Sequence, residues 1–166
     1  MSTLAERPQP DAPDEVRIVP YAPEHAAAFR ELNLQWIREH WTPEAADFEA
    51  LDDPEGKILR PGGYITVALL GETVIGTCAL LPHGPDEFEL AKMCVTSDGQ
   101  GRGVGARLGE AVIAEAQRRG ARYVYLETNA ILQPAIRLYQ RLGFKAVPRE
   151  PSPYARADVF MRLALD

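Results

Sequence analysis

Three groups of residues combine type and spacing in a way that could do chemistry. The first is Gln100-Gly101-Arg102-Gly103-Val104-Gly105-Ala106, where glycines alternate just before an amphipathic run. Alternating glycines accept positive φ and let a ligand come close to the backbone. A helix that starts there offers unpaired N–H groups and partial positive charge. Together these suit a phosphate or pyrophosphate, with Arg102 and Arg107 adding full charges nearby. A plain strand-to-helix turn would look the same. The second group is Asp86, Glu87 and Glu89 at the head of an apolar strand. A carboxylate placed in a site can act as a general base. These acids could equally form a solvated strand start. The third is Tyr139 in Leu138-Tyr139-Gln140-Arg141-Leu142-Gly143-Phe144. A phenol can act as a general acid, or simply pack in a core.

The elements that must position these groups follow from periodicity and turn residues. Val16–Val19 is a short strand closed by Pro20, and 23–40 reads as a helix carrying Phe29, Leu32, Trp36 and Ile37. A second helix spans 43–51, and 52–63 is loop-like. Strands follow at 64–70, 73–81 and 87–95, the first two joined by Gly71-Glu72. The glycine turn leads into a helix over 104–119 that Gly120 stops. A strand at 122–128, a helix at 132–142 stopped by Gly143, and strands at 144–147 and 158–163 complete the order β-α-α-β-β-β-α-β-α-β-β. A run of antiparallel strands before one βαβ unit gives an α/β (α+β) class: a mixed, mostly antiparallel sheet flanked by helices.

The chain has 166 residues, the length of one domain. Residues 1–14, with Pro8, Pro10 and Pro13 among polar residues, read as a flexible tail, and 15–166 as a single domain. The net charge of −6 argues against nucleic acid as a partner. It is unevenly spread: residues 1–99 carry 7 basic and 18 acidic side chains, and residues 100–166 carry 11 and 6. Cys78 and Cys94 are too few for a disulfide framework and read as buried thiols. No apolar run is long enough to span a membrane and no signal-peptide pattern opens the chain, so the expected location is the cytoplasm, without membrane contact. His25, His40 and His83 lack metal-ligand spacing, so no metal is expected.

The identity of the phosphate ligand narrows further. No Gly-Lys-Ser/Thr follows the turn, which excludes a nucleotide P-loop. Gly101-x-Gly103-x-x-Ala106 with Glu127 fits a loose dinucleotide fingerprint. A dinucleotide fold, however, begins with such a turn, whereas here several strands precede it. Val95-x-x-x-x-Gln100-x-x-Gly103-x-Gly105 at a strand–helix junction resembles the signature of the GNAT acetyltransferase superfamily. Asn129 followed by Ala135-x-x-Leu138-Tyr139-x-x-x-Gly143-Phe144 resembles the second half of that signature. The element order is similar too, and the resemblance covers residues 16–164.

That resemblance implies an N-acetyltransferase that moves the acetyl group of acetyl-CoA to a primary amine of a small molecule, amino acid or protein, by direct attack in a ternary complex. It implies that Gln100, Gly101, Arg102, Gly103, Val104, Gly105 and Ala106 hold the pyrophosphate. The strand backbone at Met93, Cys94 and Val95 would pair with the pantetheine arm, and a bulge there would free an N–H for the thioester carbonyl. Asn129 would contact the pantetheine or cap the helix starting near Leu132. Glu89 stands at the spacing of a base, and Tyr139 matches the usual acid. Unbroken alternation would put Glu89 on the face of Met93 and Val95, with Cys94 opposite. Acceptor candidates are Asn33, Trp36, His40, Trp41, Tyr154, Arg156 and Asp158. Arg156 would hold a carboxylate or pair with Asp158, and Lys92 would pair with Glu127 or line the acceptor site. A homodimer is common in the superfamily. A non-catalytic acyl-CoA sensor on the same fold is the alternative.

Overall fold

The computed structural model describes residues 15–166, so the tail expected at 1–14 lies outside the described residues. Strands β1 (Val16–Pro20), β2 (Tyr64–Leu70), β3 (Thr73–Pro82), β4 (Glu87–Val95), β5 (Tyr123–Thr128), β6 (Lys145–Ala146) and β7 (Val159–Ala164) form one sheet. Its order is β1-β2-β3-β4-β5-β7-β6. Every pairing is antiparallel except β4 with β5. The helices are α1 (Ala26–Arg38), α2 (Ala45–Asp52), α3 (Val104–Arg118) and α4 (Gln133–Leu142).

Two apolar layers sandwich this sheet. On one face α3 lays Val104, Leu108, Val112 and Ala116 against Cys78, Leu80, Leu90 and Leu126, with Tyr139 of α4 beside them. On the other face α1 and α2 bury Phe29, Leu34, Ile37 and Leu51 with Ile58, Ile65 and Ala79. Each fully buried Leu or Val there is worth about 1.5–3 kcal/mol of transfer free energy. The helix expected over 23–40 divides into a 3₁₀ turn (Pro23–His25) and α1, which ends at Arg38. The expected loop 52–63 holds a π-helical turn, Glu55–Leu59, whose Ile58 is fully buried. Among the described residues no helix is long and apolar enough to cross a membrane.

The irregularity that matters most lies in β4. Thr77 pairs with Cys94 and Ala79 with Ala91, so β4 carries one extra residue opposite β3. Lys92 sits in this bulge at φ 54, the one non-glycine residue with positive φ among those described. A bulge resets the two-residue alternation. Glu89 and Cys94 therefore share the α1–α2 face, while Val95 opposes Gly76 and packs with Met93 toward α3. This reverses the expected arrangement of Glu89 with Met93 and Val95. A buried chain fixes the bulge: Asn33 Nδ2 donates to Thr77 Oγ1 at 3.1 Å, and that hydroxyl donates to the Lys92 carbonyl at 2.8 Å.

Candidate active site

Pairing between β4 and β5 runs only from Glu87↔Tyr123 to Glu89↔Tyr125. Beyond Glu89 the two parallel strands separate, because β5 stays with β7 through Thr128 while β4 stays with β3. A cavity of about 600 Å³ occupies the opening. It runs from the glycine turn past Met93, Cys94 and Val95 to Glu89 and Glu127, and is walled by Trp36, Trp41, Tyr139, Tyr154 and Arg156.

At the glycine end, a 3₁₀ turn (Ser97–Gly99) leads to Gly101 at φ +78 and Gly103 at φ +69, with Gly103 the N-cap of α3. A Cβ at either glycine would meet nothing within 4 Å. Backbone conformation, not crowding, selects glycine here, and the space above the turn is open. The first backbone bond of the helix is Arg107 N–H to the Gly103 carbonyl at 3.1 Å. The N–H groups of Val104, Gly105 and Ala106 thus face out of the helix start. Buried Val104 anchors this end. Arg102 Nε closes the turn onto the Asp98 carbonyl at 3.1 Å. Arg107, expected beside the phosphate site, instead donates to the Val16 carbonyl at 2.9 Å.

At the far end the cavity is acidic. Glu127 Oε2 accepts from the Tyr125 hydroxyl at 3.1 Å, and its Oε1 from Ser152 at 2.5 Å. His83 stacks on the Tyr125 ring at 4.3 Å and reaches Glu150 at 3.1 Å. Burial, reinforced by the charge of Glu127, raises the Glu89 carboxyl to about 7, against the opposing pull of His83 and Lys92. A carboxyl poised there can exchange protons near neutrality.

Between the two ends lies an ion network that the sequence did not foretell. Lys92 donates to the Tyr154 hydroxyl at 2.9 Å and stands 3.7 Å from Asp47, not beside Glu127. Arg156 forks onto Asp47 at 2.6 and 2.9 Å and touches Glu44 at 3.2 Å, not Asp158. Asp158 instead accepts from the Ala130 N–H. Asp47 also caps its own helix by accepting the Glu44 N–H at 2.8 Å. Burial alone would raise the Asp47 carboxyl, but the Arg156 hydrogen bonds, the Glu44 N–H and the Lys92 charge hold it below the usual range. Its stabilisation is therefore present above the ordinary carboxylate pKa and lost as pH falls through the lowered value. Asp47→Asn should cost about 3–5 kcal/mol at pH 7, because it breaks the buried fork with Arg156 and removes the negative charge nearest Lys92. Denaturant midpoints of the two proteins check this.

The remaining expected residues are distributed as follows. Tyr139, 7% exposed, lines the cavity with its ring edge on Phe144. Burial pushes its phenol above the usual value, with Cys78 and Cys94 adding to the effect, so it keeps its proton. Burial likewise pushes the Cys94 thiol to about 11, although its contact with Thr77 pulls the other way. A thiol that rarely ionises is a poor nucleophile. Asn129 caps no helix: its Oδ1 accepts the Ile131 N–H at 2.9 Å and its Nδ2 donates to the Arg156 carbonyl at 2.7 Å. Asn33 borders the cavity, but its Nδ2 is spent on the Phe29 carbonyl and Thr77. Trp36 and Trp41 pack 6.2 Å apart on the cavity wall, while His40 is exposed and set edge-on to Trp41.

The sequence profile of the Acetyltransferase (GNAT) family matches residues 26–144. The chain belongs to the GNAT family. Its fold superposes on a GNAT acetyltransferase from Staphylococcus aureus with a TM-score of 0.84 at 21% identity, covering 92% of this chain and all (100%) of that one. The Salmonella typhimurium protein yncA, solved with its cofactor acetyl-CoA, gives a TM-score of 0.73 at 22% identity over 92% and 95% of the two chains. Among curated proteins, N-acetylaspartate synthetase of Rattus norvegicus is 36% identical over 86 residues, 51% of this chain and 29% of that protein. The probable N-acetyltransferase camello of Xenopus tropicalis is 32% identical over 99 residues, 58% and 45% of the two. The chain thus spans less than half the length of these curated relatives.

In this GNAT domain the sequence missed Asp47, Ser152, Tyr125 and His83. Asp47 carried one readable signal, an acid three residues after Glu44 at a helix start. Its contact with Arg156 crosses 109 residues and leaves no local mark.

Proposed function

We propose that this GNAT domain is an N-acetyltransferase that passes the acetyl group of acetyl-CoA directly to a primary amine. One observation carries the reading: a single cavity connects the open glycine turn at the start of α3 with Glu89 and Tyr139. The turn fits a pyrophosphate, since its glycines leave open space and the α3 start presents N–H groups. Gln100, Gly101 and Arg102 would flank that anion, and Val104, Gly105 and Ala106 would supply the N–H donors. Met93, Cys94 and Val95 line the separated strand, where an extended pantetheine arm would lie. Acetyl-CoA supplies an activated acyl thioester.

Glu89 takes a proton from the acceptor ammonium, directly or through water, and frees the nitrogen lone pair. The new N–C bond forms as the C–S bond breaks. The nitrogen gives up its second proton to solvent as the amide forms, Tyr139 gives its proton to the departing sulfur, and Tyr139 takes one back from solvent. The buried Cys94 thiol stays out of this sequence, so no acyl-enzyme is formed. The likeness to N-acetylaspartate synthetase supports a small acceptor.

Release of free CoA across an amine panel tests the reading. Tyr139→Phe should lower kcat by about a hundredfold, within the range for a lost acid–base group, at little cost in acetyl-CoA KM. Tight acetyl-CoA binding without acetylation of any amine, and no effect of Tyr139→Phe, would instead indicate a non-catalytic acyl-CoA sensor.

A further inference from the structure

We infer that Lys92 binds an anionic group of the acceptor, so that the acceptor is an amine that also carries a carboxylate, as an amino acid does. This rests on the acetyltransferase reading and on Glu89 receiving the amine.

Hydrogen-bond supply and demand around Lys92 carries the argument. The side chain is 7% exposed and lines the cavity. An ammonium has three N–H donors. One meets the Tyr154 hydroxyl at 2.9 Å. Asp47, at 3.7 Å, is outside hydrogen-bond range, and its oxygens already serve Arg156 twice and the Glu44 N–H once. Two donors of a charged group that water barely reaches thus lack an acceptor among the described residues. Leaving such donors unmet is costly. A carboxylate brought in by the ligand would meet that demand in charge as well as geometry.

A purely structural lysine would neutralise Asp47, but Arg156 already does so in a fork. Glu44, the other acid of the cluster, sits at its rim with 32% exposure and touches Arg156, not Lys92. The cation–π contact of Lys92 with the Tyr154 ring at 4.9 Å leaves the ammonium at the cavity wall.

The cavity is also polar end to end. Glu89 and Glu127 form its negative side, and among the described residues the hydrogen bonds to Glu127 come from the neutral hydroxyls of Tyr125 and Ser152. Glu89 and Lys92 come from the same strand, three positions apart, or about 10 Å along it. The bulge turns Lys92 toward Asp47 of α2, on the face that Glu89 also occupies. A small ligand with an ammonium at one end and a carboxylate at the other matches that polarity. Trp36 and Trp41 would border its apolar part.

The test compares amino acids with the amines formed by removing their carboxylate: alanine with ethylamine, phenylalanine with phenethylamine, and leucine with isopentylamine. CoA release is read for wild type, Lys92→Met and Lys92→Arg. Wild type should favour the amino acid at least tenfold in kcat/KM in one or more pairs. Lys92→Met should bring that ratio to about one through the KM of the amino acid, and Lys92→Arg should restore part of it. Preference for the bare amine in every pair overturns the inference. So does a Lys92→Met variant that loses kcat equally on both members of a pair, which would place Lys92 in the acetyl transfer or the fold. If wild type acetylates neither member of any pair nor any other amine while acetyl-CoA binds, the acetyltransferase reading fails, and this inference with it.

Discussion

Glu89→Gln should lower kcat/KM for the acceptor about a hundredfold or more above pH 7 and remove the acidic limb of the pH profile. The sign follows from the environment. Burial and Glu127 raise the carboxyl to about 7, so wild type loses its base as pH falls through that value and gains it above. The amide has nothing to ionise, so its profile follows only the acceptor amine. The deficit of the variant is therefore greatest above pH 7 and narrows below it. Stability should move the other way. A carboxyl raised in the folded state binds its proton more tightly there than in the unfolded chain. Folding thus loses stability as pH rises from the ordinary value of 4.5 toward about 7. Glu89→Gln should accordingly melt no lower than wild type at pH 8, which separates lost chemistry from lost fold. An acidic limb that persists unchanged in the variant would remove Glu89 from the reaction.

Gly103→Glu should raise the acetyl-CoA KM at least a hundredfold, equivalent to about 2.7 kcal/mol of binding. Gly103 holds φ +69 at the N-cap of α3. A side chain in that left-handed conformation costs about 1–2 kcal/mol in strain, but it enters open space. The fold should therefore survive while a carboxylate stands over the N–H groups at the start of α3, the proposed pyrophosphate site. Gly103→Asn is the control, because asparagine tolerates the left-handed region and adds no charge. Calorimetry with CoA reads both. Wild-type CoA affinity in a folded Gly103→Glu protein would exclude this turn as the anion site.

The strands of the meander and the glycine turn could be read from the sequence because their signals are local. The expected strand 87–95 coincides with β4, and the expected helix 104–119 differs from α3 by one residue. The bulge could not be read. Glycine announces a left-handed backbone, whereas Lys92 adopts one where Thr77 of β3 grips its carbonyl and Asn33 of α1 in turn orients that threonine. That single residue moved Glu89 to the face opposite Met93 and Val95. Lys92 and Arg156 invite pairing with Glu127 and Asp158, yet their partner Asp47 lies on α2, far away in sequence. Local periodicity carries no information about which acid a buried cation will find. The split of the first helix was hidden because Pro23 opens either kind of helix, and a 3₁₀ turn of three residues is too short to show a period of its own.

The separation of β4 from β5 leaves backbone N–H and C=O groups unpaired inside the sheet, along the part of each strand that follows Glu89 and Tyr125. Exposed strand edges commonly invite another chain and lead to aggregation. Here the edge is recessed between α1 on one face and α3 and α4 on the other, since Asn33, Trp36, Val104 and Leu138 all border the opening. A second sheet carries side chains on both faces and a neighbouring strand, and it cannot enter so narrow a wedge. A lone slender chain can. An edge placed this way stays competent for pairing while its recess denies another sheet the approach that an outer strand offers.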